Sequence, residues 1–357
     1  MTPIEHFAVI GTALVVTWGL TPLVRLVGRR LGIVARPGGR HVHQGAIPRI
    51  GGVAIFAGFA AALAVRWAGE TWWGWHPALT AEGAPVPGAL IAPAVMFAVG
   101  LLDDMIDLKP GQKLFGQLLA AGIAIAGGVT ISHVSDPFSG GLILLGLLSI
   151  PVTLFWMVGF ANVINLMDGL DGLAAGITAI AAVSLLFLAV QANQPFAAVF
   201  AAGLVGACLG FLRFNFNPAS IFMGDSGSLF LGFVLACIAL LGVMKSVAAI
   251  TLVVPLLIIG VPVFDTFSAI VRRRRHGRPI QEADKGHIHH RLLGRGFTQR
   301  QTVIIIYVWS VALAVGGYAM RWVPPVFKIV TLVVLAALSG LMAYWLGLFE
   351  AAHHDGE

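Results

Sequence analysis

Charge is what this chain has least of. Of its 357 residues only 11% are charged, while 58% are hydrophobic. That balance excludes a water-soluble domain, whose surface needs far more polar side chains. Cysteine is nearly absent. Cys208 and Cys237 both fall in apolar runs, so they read as core packing and not as a disulfide or metal pair. The short alternating segments of a membrane β-barrel are missing too. There is no long-period repeat and no low-complexity tract. The N-terminus, MTPIEHF, has no basic n-region, and Arg25, Arg29 and Arg30 follow the first apolar run. No cleavable signal peptide is therefore expected.

What the chain does have is one apolar run of about 20 residues after another, the length that spans a bilayer core as a helix. The reading is a polytopic, all-α membrane protein of eleven spans, forming one integral membrane domain over residues 1–357. The spans fall near residues 6–27, 49–68, 88–106, 113–131, 143–165, 171–190, 196–213, 227–243, 248–270, 301–320 and 326–348. An odd number puts the termini on opposite sides. One set of loops, with its adjoining span ends, carries 18 of the 22 Lys and Arg; the other side has Arg66, Lys245, Arg321 and Lys328. The positive-inside rule makes the first side cytoplasmic, the N-terminus external and the C-terminus cytoplasmic. It also accounts for the formal charge of +6 without a nucleic-acid partner. Trp72, Trp73 and Trp75 in an external loop read as an interfacial belt. Pro255, Gly260 and Pro262 predict a kink or break in the ninth span. Asp265, near that span's end, is open to three readings: a functional carboxylate, a local cap, or a partner for nearby basic residues.

Polar side chains collect at the cytoplasmic ends of the spans. Asp103, Asp104 and Asp107 close the third span in LLDDMID; Asp103 and Asp107, four apart, should share a helix face. FANVINLMDGLDG joins the fifth and sixth spans and places Asn162, Asn165, Asp168 and Asp171 at steps of three. On an α-helix that spacing drifts by about 60° per step; on a 3₁₀ turn the four would align. Asn215, Asn217 and Asp225 lie in FNFNPASIFMGDSGS. Three Asp-bearing loops on one face predict a shared site, because polar groups at this depth are costly unless used. Neighbouring carboxylates repel, and a divalent cation or a lysine relieves them. The carboxylate and amide oxygens suit Mg²⁺, with Mn²⁺ as an alternative, and not zinc.

Basic groups stand nearby in the sequence. Lys113 follows the Asp cluster. Arg272–Arg275 read as a topology anchor or a lipid-headgroup contact, and His287, His289, His290 and Arg291 read as a phosphate cradle ahead of a zinc site, with Arg291 a bidentate donor. Arg36, Arg40, His41, His43 and Arg49 could extend that cradle. Acids for a metal, bases for phosphate and a membrane surface point to transfer at phosphorus from a soluble donor to a lipid acceptor. A secondary transporter, whose charges would gather at the bilayer midplane, is the reading of another class.

IPRIGG (47–52), LLDDMID, NVINLMDGLDG, NPASIFMGDSGSL and HIHHRLL, in this order over nearly the whole chain, resemble the motifs of the polyprenyl-phosphate N-acetylhexosamine-1-phosphate transferases, glycosyltransferase family 4. The resemblance implies transfer of a sugar-1-phosphate from a UDP-activated N-acetylhexosamine to a polyprenyl phosphate, with release of UMP, in a multi-pass protein of the cytoplasmic (inner) membrane. It implies Mg²⁺ dependence, with Asp225 as principal ligand and Asn165 beside it. It implies nucleotide and sugar contacts from Asn162, Asp168, Asp171, Phe222 and Gly224, a phosphate contact from Lys113, and assistance to the attacking lipid phosphate from Asp103 or Asp104. His289-His290-Arg291, preceded by His287, resembles the branch using UDP-N-acetylglucosamine and undecaprenyl phosphate to initiate cell-envelope glycans. The branch using UDP-N-acetylmuramoyl-pentapeptide typically has three successive histidines there. Whether the protein forms a homodimer is left open.

Overall fold

The computed structural model describes residues 2–35, 47–135, 141–242, 256–257, 259–275, 287–320, 323 and 325–346. Eight helices among them are long and apolar enough to cross a membrane. These match eight of the eleven expected spans: the first three, the fifth to the eighth, and the tenth. Arg36, Arg40, His41, His43, Lys245, Pro255 and Arg321 lie outside the described residues. The chain divides into two compact units, Met1–Pro255 and Leu256–Glu357.

The first unit runs α1 (Pro3–Arg30), β1 (Val34–Ala35), β2 (Ile47–Pro48), α2 (Gly52–Trp72), α3 (Val86–Ile106), α4 (Pro110–Ala126), β3 (His133–Ser135), β4 (Leu142–Leu144), α5 (Ser149–Met167), α6 (Leu173–Gln191), α7 (Pro195–Asn215) and α8 (Gly224–Gly242). Both strand pairs are short antiparallel hairpins. α4, at 17 residues, is shorter than the expected fourth span.

α8 is the centre of this unit. Every residue from Ser226 to Gly242 is buried, and α2, α3, α5, α6 and α7 all pack on it. A helix that is apolar all round can be enclosed in this way. Small residues let the backbones approach. A Cβ on Gly232 would stand 2.5 Å from the Phe160 carbonyl oxygen of α5, and one on Gly100 would strike the backbone of Asp225. Without a water-driven hydrophobic effect between them, membrane helices gain their packing from such close contact. Cys208 and Cys237 are free and buried, as core packing requires.

The second unit has α9 (Gly260–Arg275), α10 (Ile288–Gly294), α11 (Gln299–Ala319) and α12 (Pro325–Trp345). Leu256 and Leu257 are helical, Ile259 is in a turn, and α9 begins at Gly260. The turn at Ile259 lies within the expected ninth span, beside Gly260, and most of that span before it lies outside the described residues. Thr298 caps α11 by accepting from the Gln301 amide at 3.3 Å, while Gln301 Oε1 accepts from the Thr298 amide at 2.9 Å, a reciprocal capping box.

Candidate active site

The acidic loops of the first unit do meet, and the order of their meeting is set by helix ends. α3 stops at Ile106 because Asp107 turns left-handed, with φ 49°. Asp103 and Asp107 consequently do not share a face. Asp107 leaves the helix and pairs with Arg49 at 2.7 Å, whereas Asp103 turns toward α4. Asp103 Oδ1 accepts from the Leu108 amide at 2.7 Å and Oδ2 from Lys113 Nζ at 3.0 Å.

Lys113 also donates to Asp225 Oδ2, so one ammonium bridges carboxylates from α3 and α8. Asn165 of α5 donates to Asp225 Oδ1 at 2.7 Å and to Ser228 Oγ at 2.8 Å. Both its amide hydrogens are spent there, and the carbonyl oxygen is what it keeps for a ligand.

Asp104 is engaged differently. Its two carboxylate oxygens accept from the backbone amides of Asp225 and Ser226, at 2.8 and 2.9 Å. The carboxylate thus occupies the N-terminus of α8 from a neighbouring helix and satisfies two donors that the helix itself leaves orphaned. The sequence left Asp103 and Asp104 interchangeable; the structure separates them. Asp103 lies beside the lysine, and Asp104, 4% exposed, anchors the turn that presents Asp225.

IPRIGG carried the family resemblance without a role of its own beyond Arg49, and here the motif proves to be the frame of the site. Gly51 and Gly52 donate to the carbonyls of Phe222 and Met223, and the Phe222 amide donates to Pro48. A Cβ on Gly52 would collide with the backbone of Gly227, and one on Gly51 would stand 2.5 Å from the Phe211 ring. Gly224 takes φ +68°, and a Cβ there would meet the Asp104 carboxylate. Arg49 donates to the Asp104 carbonyl at 3.0 Å as well as to Asp107. Burial pulls its pKa down, but the Asp107 hydrogen bond and the charges of Asp107, Asp104 and Asp225 outweigh this and raise it. The signal that could have found this frame was the motif's position: two glycines in a row opening an apolar helix.

The 160–172 stretch does not align on a 3₁₀ turn. α5 ends at Met167 with Asp168 as its C-cap, and Gly172, at φ +79°, opens α6. The four side chains therefore point to different places. Asn162 forms a reciprocal amide pair with Gln117 of α4, at 2.8 and 3.2 Å. Asn165 reaches Asp225. Asp171 accepts from Asn217 Nδ2 at 3.0 Å and the Ala219 amide at 2.9 Å, which holds the turn around Pro218. Asp168 is half-buried. Burial, together with the charges of Asp225, Asp104 and Asp171, pushes its carboxyl up to about 8. Phe222 is half-buried at the edge of the same loop.

A dedicated metal cage is not what these residues form. Among the described residues no group of three or more His, Cys, Asp or Glu side chains is placed to hold an ion. Mg²⁺, however, is ordinarily held by one or two protein oxygens plus substrate phosphates and water. Asp225 and the Asn165 carbonyl are a donor set of that open kind, and the residues fit.

In the second unit, His287 Nδ1 lies 2.8 Å from Asp265 Oδ2, and the Ile288 amide donates to Asp265 Oδ1 at 2.8 Å. His287 and His289 are stacked, with ring centres 5.8 Å apart, and His290 leans on His289 at 4.3 Å. His289 is 2% exposed. Burial and the charge of His290 push its pKa down to about 3, so it is neutral. His290 and Arg291 are half-buried on the same short helix.

Residues 86–243 match the sequence model of glycosyl transferase family 4. The chain is 37% identical over 331 residues to a probable undecaprenyl-phosphate N-acetylglucosaminyl 1-phosphate transferase of Bacillus subtilis, covering 90% of this chain and 89% of the relative. It is 38% identical over 342 residues to a decaprenyl-phosphate N-acetylglucosaminephosphotransferase of Mycobacterium tuberculosis, covering 88% and 82%. An undecaprenyl-phosphate alpha-N-acetylglucosaminyl 1-phosphate transferase of Yersinia pestis is 30% identical over 302 residues, covering 83% and 79%. With the five motifs in order and this similarity running through most of its length, the chain belongs to glycosyl transferase family 4.

Proposed function

We propose that the protein transfers N-acetylglucosamine-1-phosphate from UDP-N-acetylglucosamine to undecaprenyl or a related polyprenyl phosphate, releasing UMP. The reaction would start a lipid-linked cell-envelope glycan at the cytoplasmic face of the cytoplasmic membrane. In this reading the chain spans the membrane eleven times, with the N-terminus external. One observation carries the proposal: Asp103, Lys113, Asn165 and Asp225, from four different helices, meet through direct hydrogen bonds at one end of the first unit.

Asp225 and the Asn165 carbonyl would hold Mg²⁺, which neutralises charge on the pyrophosphate when bound. Lys113 binds a phosphate oxygen from its place between Asp103 and Asp225. Asp103 orients the acceptor phosphate against this lysine. A strong base is not needed, because the second ionisation of a phosphomonoester lies at a pKa of about 6. Asp104 is already committed to the α8 amides and acts by keeping Asp225 in place. Asp168, as a neutral acid, can donate to a nucleotide or sugar oxygen.

A panel of UDP-sugars, assayed for UMP release by purified protein with polyprenyl phosphate and Mg²⁺, tests this. Release from UDP-N-acetylglucosamine, absent without the lipid, is expected. Release only from UDP-N-acetylmuramoyl-pentapeptide would move the protein to the peptidoglycan branch, and no release from any donor would end the transferase reading.

A further inference from the structure

Arg49 is a cation of the first unit whose donors are only partly used. Its backbone is fixed on both sides. The amide donates to the Ile33 carbonyl at 3.2 Å, and the carbonyl lies so near Gly224 that a Cβ there would stand 2.0 Å away. The side chain is 33% exposed, and its hydrogen bonds to the Asp104 carbonyl and to Asp107 both leave from Nη2. Nε and Nη1 carry three further N–H donors, and among the described residues these have no hydrogen-bond partner.

The carboxylate that Arg49 does hold is a loose partner. Asp107 is 82% exposed and stands beyond the end of α3, at φ 49°. An ion pair this open to solvent adds little to stability. A phosphate binds a guanidinium more strongly, because it carries more charge and can take two N–H groups at once. The pair is therefore one that a phosphate can break.

Its position says which phosphate. α3 is long and apolar enough to cross a membrane, and its last turn exposes Leu102, Met105 and Ile106. Asp107 and Arg49 stand where that apolar surface ends. A hydrocarbon tail lying along α3 brings its own phosphate to this place without leaving the bilayer. A soluble nucleotide gains nothing from the apolar turn. LLDDMID thus holds two cations, Lys113 through its first carboxylate and Arg49 through its last.

We propose that Arg49 binds the phosphate of the polyprenyl acceptor, and that Asp107 holds the guanidinium until that phosphate displaces it. The inference rests on the transferase reading above and adds to it a residue specific to the acceptor. No covalent bond changes; one ion pair is exchanged for another.

Two measurements on purified full-length protein in detergent test this. One is KM for polyprenyl phosphate and, separately, for UDP-N-acetylglucosamine. The other is the rise in Tm on adding polyprenyl phosphate without donor. Arg49→Gln should raise acceptor KM about tenfold, the scale of a lost charged hydrogen bond, and weaken the lipid-induced rise in Tm, with donor KM nearly unchanged. Asp107→Asn should move acceptor KM the other way, lowering it about two- to fivefold, because an exposed competitor is removed. Asn tolerates the left-handed backbone as Asp does. The double variant should match Arg49→Gln, since Asp107 acts only through the arginine. A merely structural pair would instead lower Tm in both single variants and move acceptor KM in one direction, and that result overturns the proposal. So does an unchanged acceptor KM in Arg49→Gln, or an equal shift in donor KM, which would report only a change in overall charge. If Arg49→Gln fails to fold, Asp107→Asn decides alone: acceptor KM at or above wild type overturns the proposal. Wild-type protein that gains Tm with polyprenyl phosphate yet releases no UMP from any UDP-sugar would count against the transferase reading, and the Tm shifts of the variants would still decide the role of Arg49.

Discussion

Two charge clusters among the described residues of the first unit, one buried and one half-buried, serve opposite ends. One surrounds Arg66, whose side chain is fully enclosed. It pairs with Glu5 at 2.9 Å and Glu70 at 2.6 Å, donates to the His76 carbonyl and lies over the Trp75 ring at 5.5 Å. Glu70 in turn accepts from the Leu79 and Thr80 amides, and Glu5 from His76. Nearly every polar atom in this cluster is spent on another part of the protein. It braces α1, α2 and the loop after α2. The second cluster, around Asp225, is rich in acid and short of base. Lys113 serves two carboxylates at once, Asp168 is left to hold its proton, and Asn165 keeps a carbonyl oxygen. The lesson is that burial and pairing alone do not mark a site. Unbalanced charge with polar atoms left over does.

Four substitutions would break or sharpen that contrast. The largest effect belongs to Asp225→Ala. Loss of the carboxylate shared by Lys113 and Asn165 should lower UMP release by about 10³-fold or more, on the scale of a lost charge-stabilising group, with the fold retained. Activity within tenfold of wild type at ordinary Mg²⁺ would remove Asp225 from the centre of the site.

Arg66→Met should do the reverse. Breaking a buried ion pair by removing one partner costs about 3–5 kcal/mol, so thermal unfolding in detergent should shift sharply downward. The kcat of the protein that remains folded should stay near wild type. A kcat loss without loss of stability would mean the brace is part of the catalytic apparatus.

Asn162→Ala is expected to be mild. It removes one half of an amide pair with Gln117, worth about 1 kcal/mol, and should alter donor KM less than threefold. A large KM change would restore Asn162 to the nucleotide contacts.

The smallest effect concerns pH. Asp168 binds its proton more tightly in the folded protein, up to about 8, than in an unfolded chain. Between roughly pH 4 and 8 the unfolded state has therefore lost a proton that the native state keeps, and stability falls as pH rises through that window. Comparing Tm of wild type and Asp168→Asn from pH 5 to 8 should show a steeper decline in wild type. Parallel curves would mean that Asp168 is ionised in the folded protein.

Much of this was legible in the order of residues. Long apolar runs report membrane helices because a bilayer admits no unpaired backbone, and Asp, Asn and Lys at their ends stand out because the background is so apolar. Asp103, Lys113, Asn165 and Asp225 could be gathered from that signal alone. The difference between Asp103 and Asp104 could not. Adjacent carboxylates look alike until a second helix supplies amide donors to one and a lysine to the other. Nor could the steps of three in Asn162–Asp171 be resolved. The spacing suits one surface only on a 3₁₀ turn, and the chain instead forms an α-helix that stops at Met167.

By itself, then, the sequence determined the helical membrane class, the family motifs and the face on which acids gather. Composition and local spacing are enough for these. Tertiary structure alone decided which polar groups are consumed by other parts of the protein and which remain for a ligand. Asn162 is taken by Gln117, Asp104 by the amides of α8, and Arg66 by two glutamates, while Asp225, held by Lys113 and Asn165, keeps 28% of its side chain exposed. The physical reason is that a hydrogen-bond donor or acceptor is defined by its partner, and apart from Glu70, on the same helix as Arg66, those partners lie on other helices, from 45 to 122 residues away.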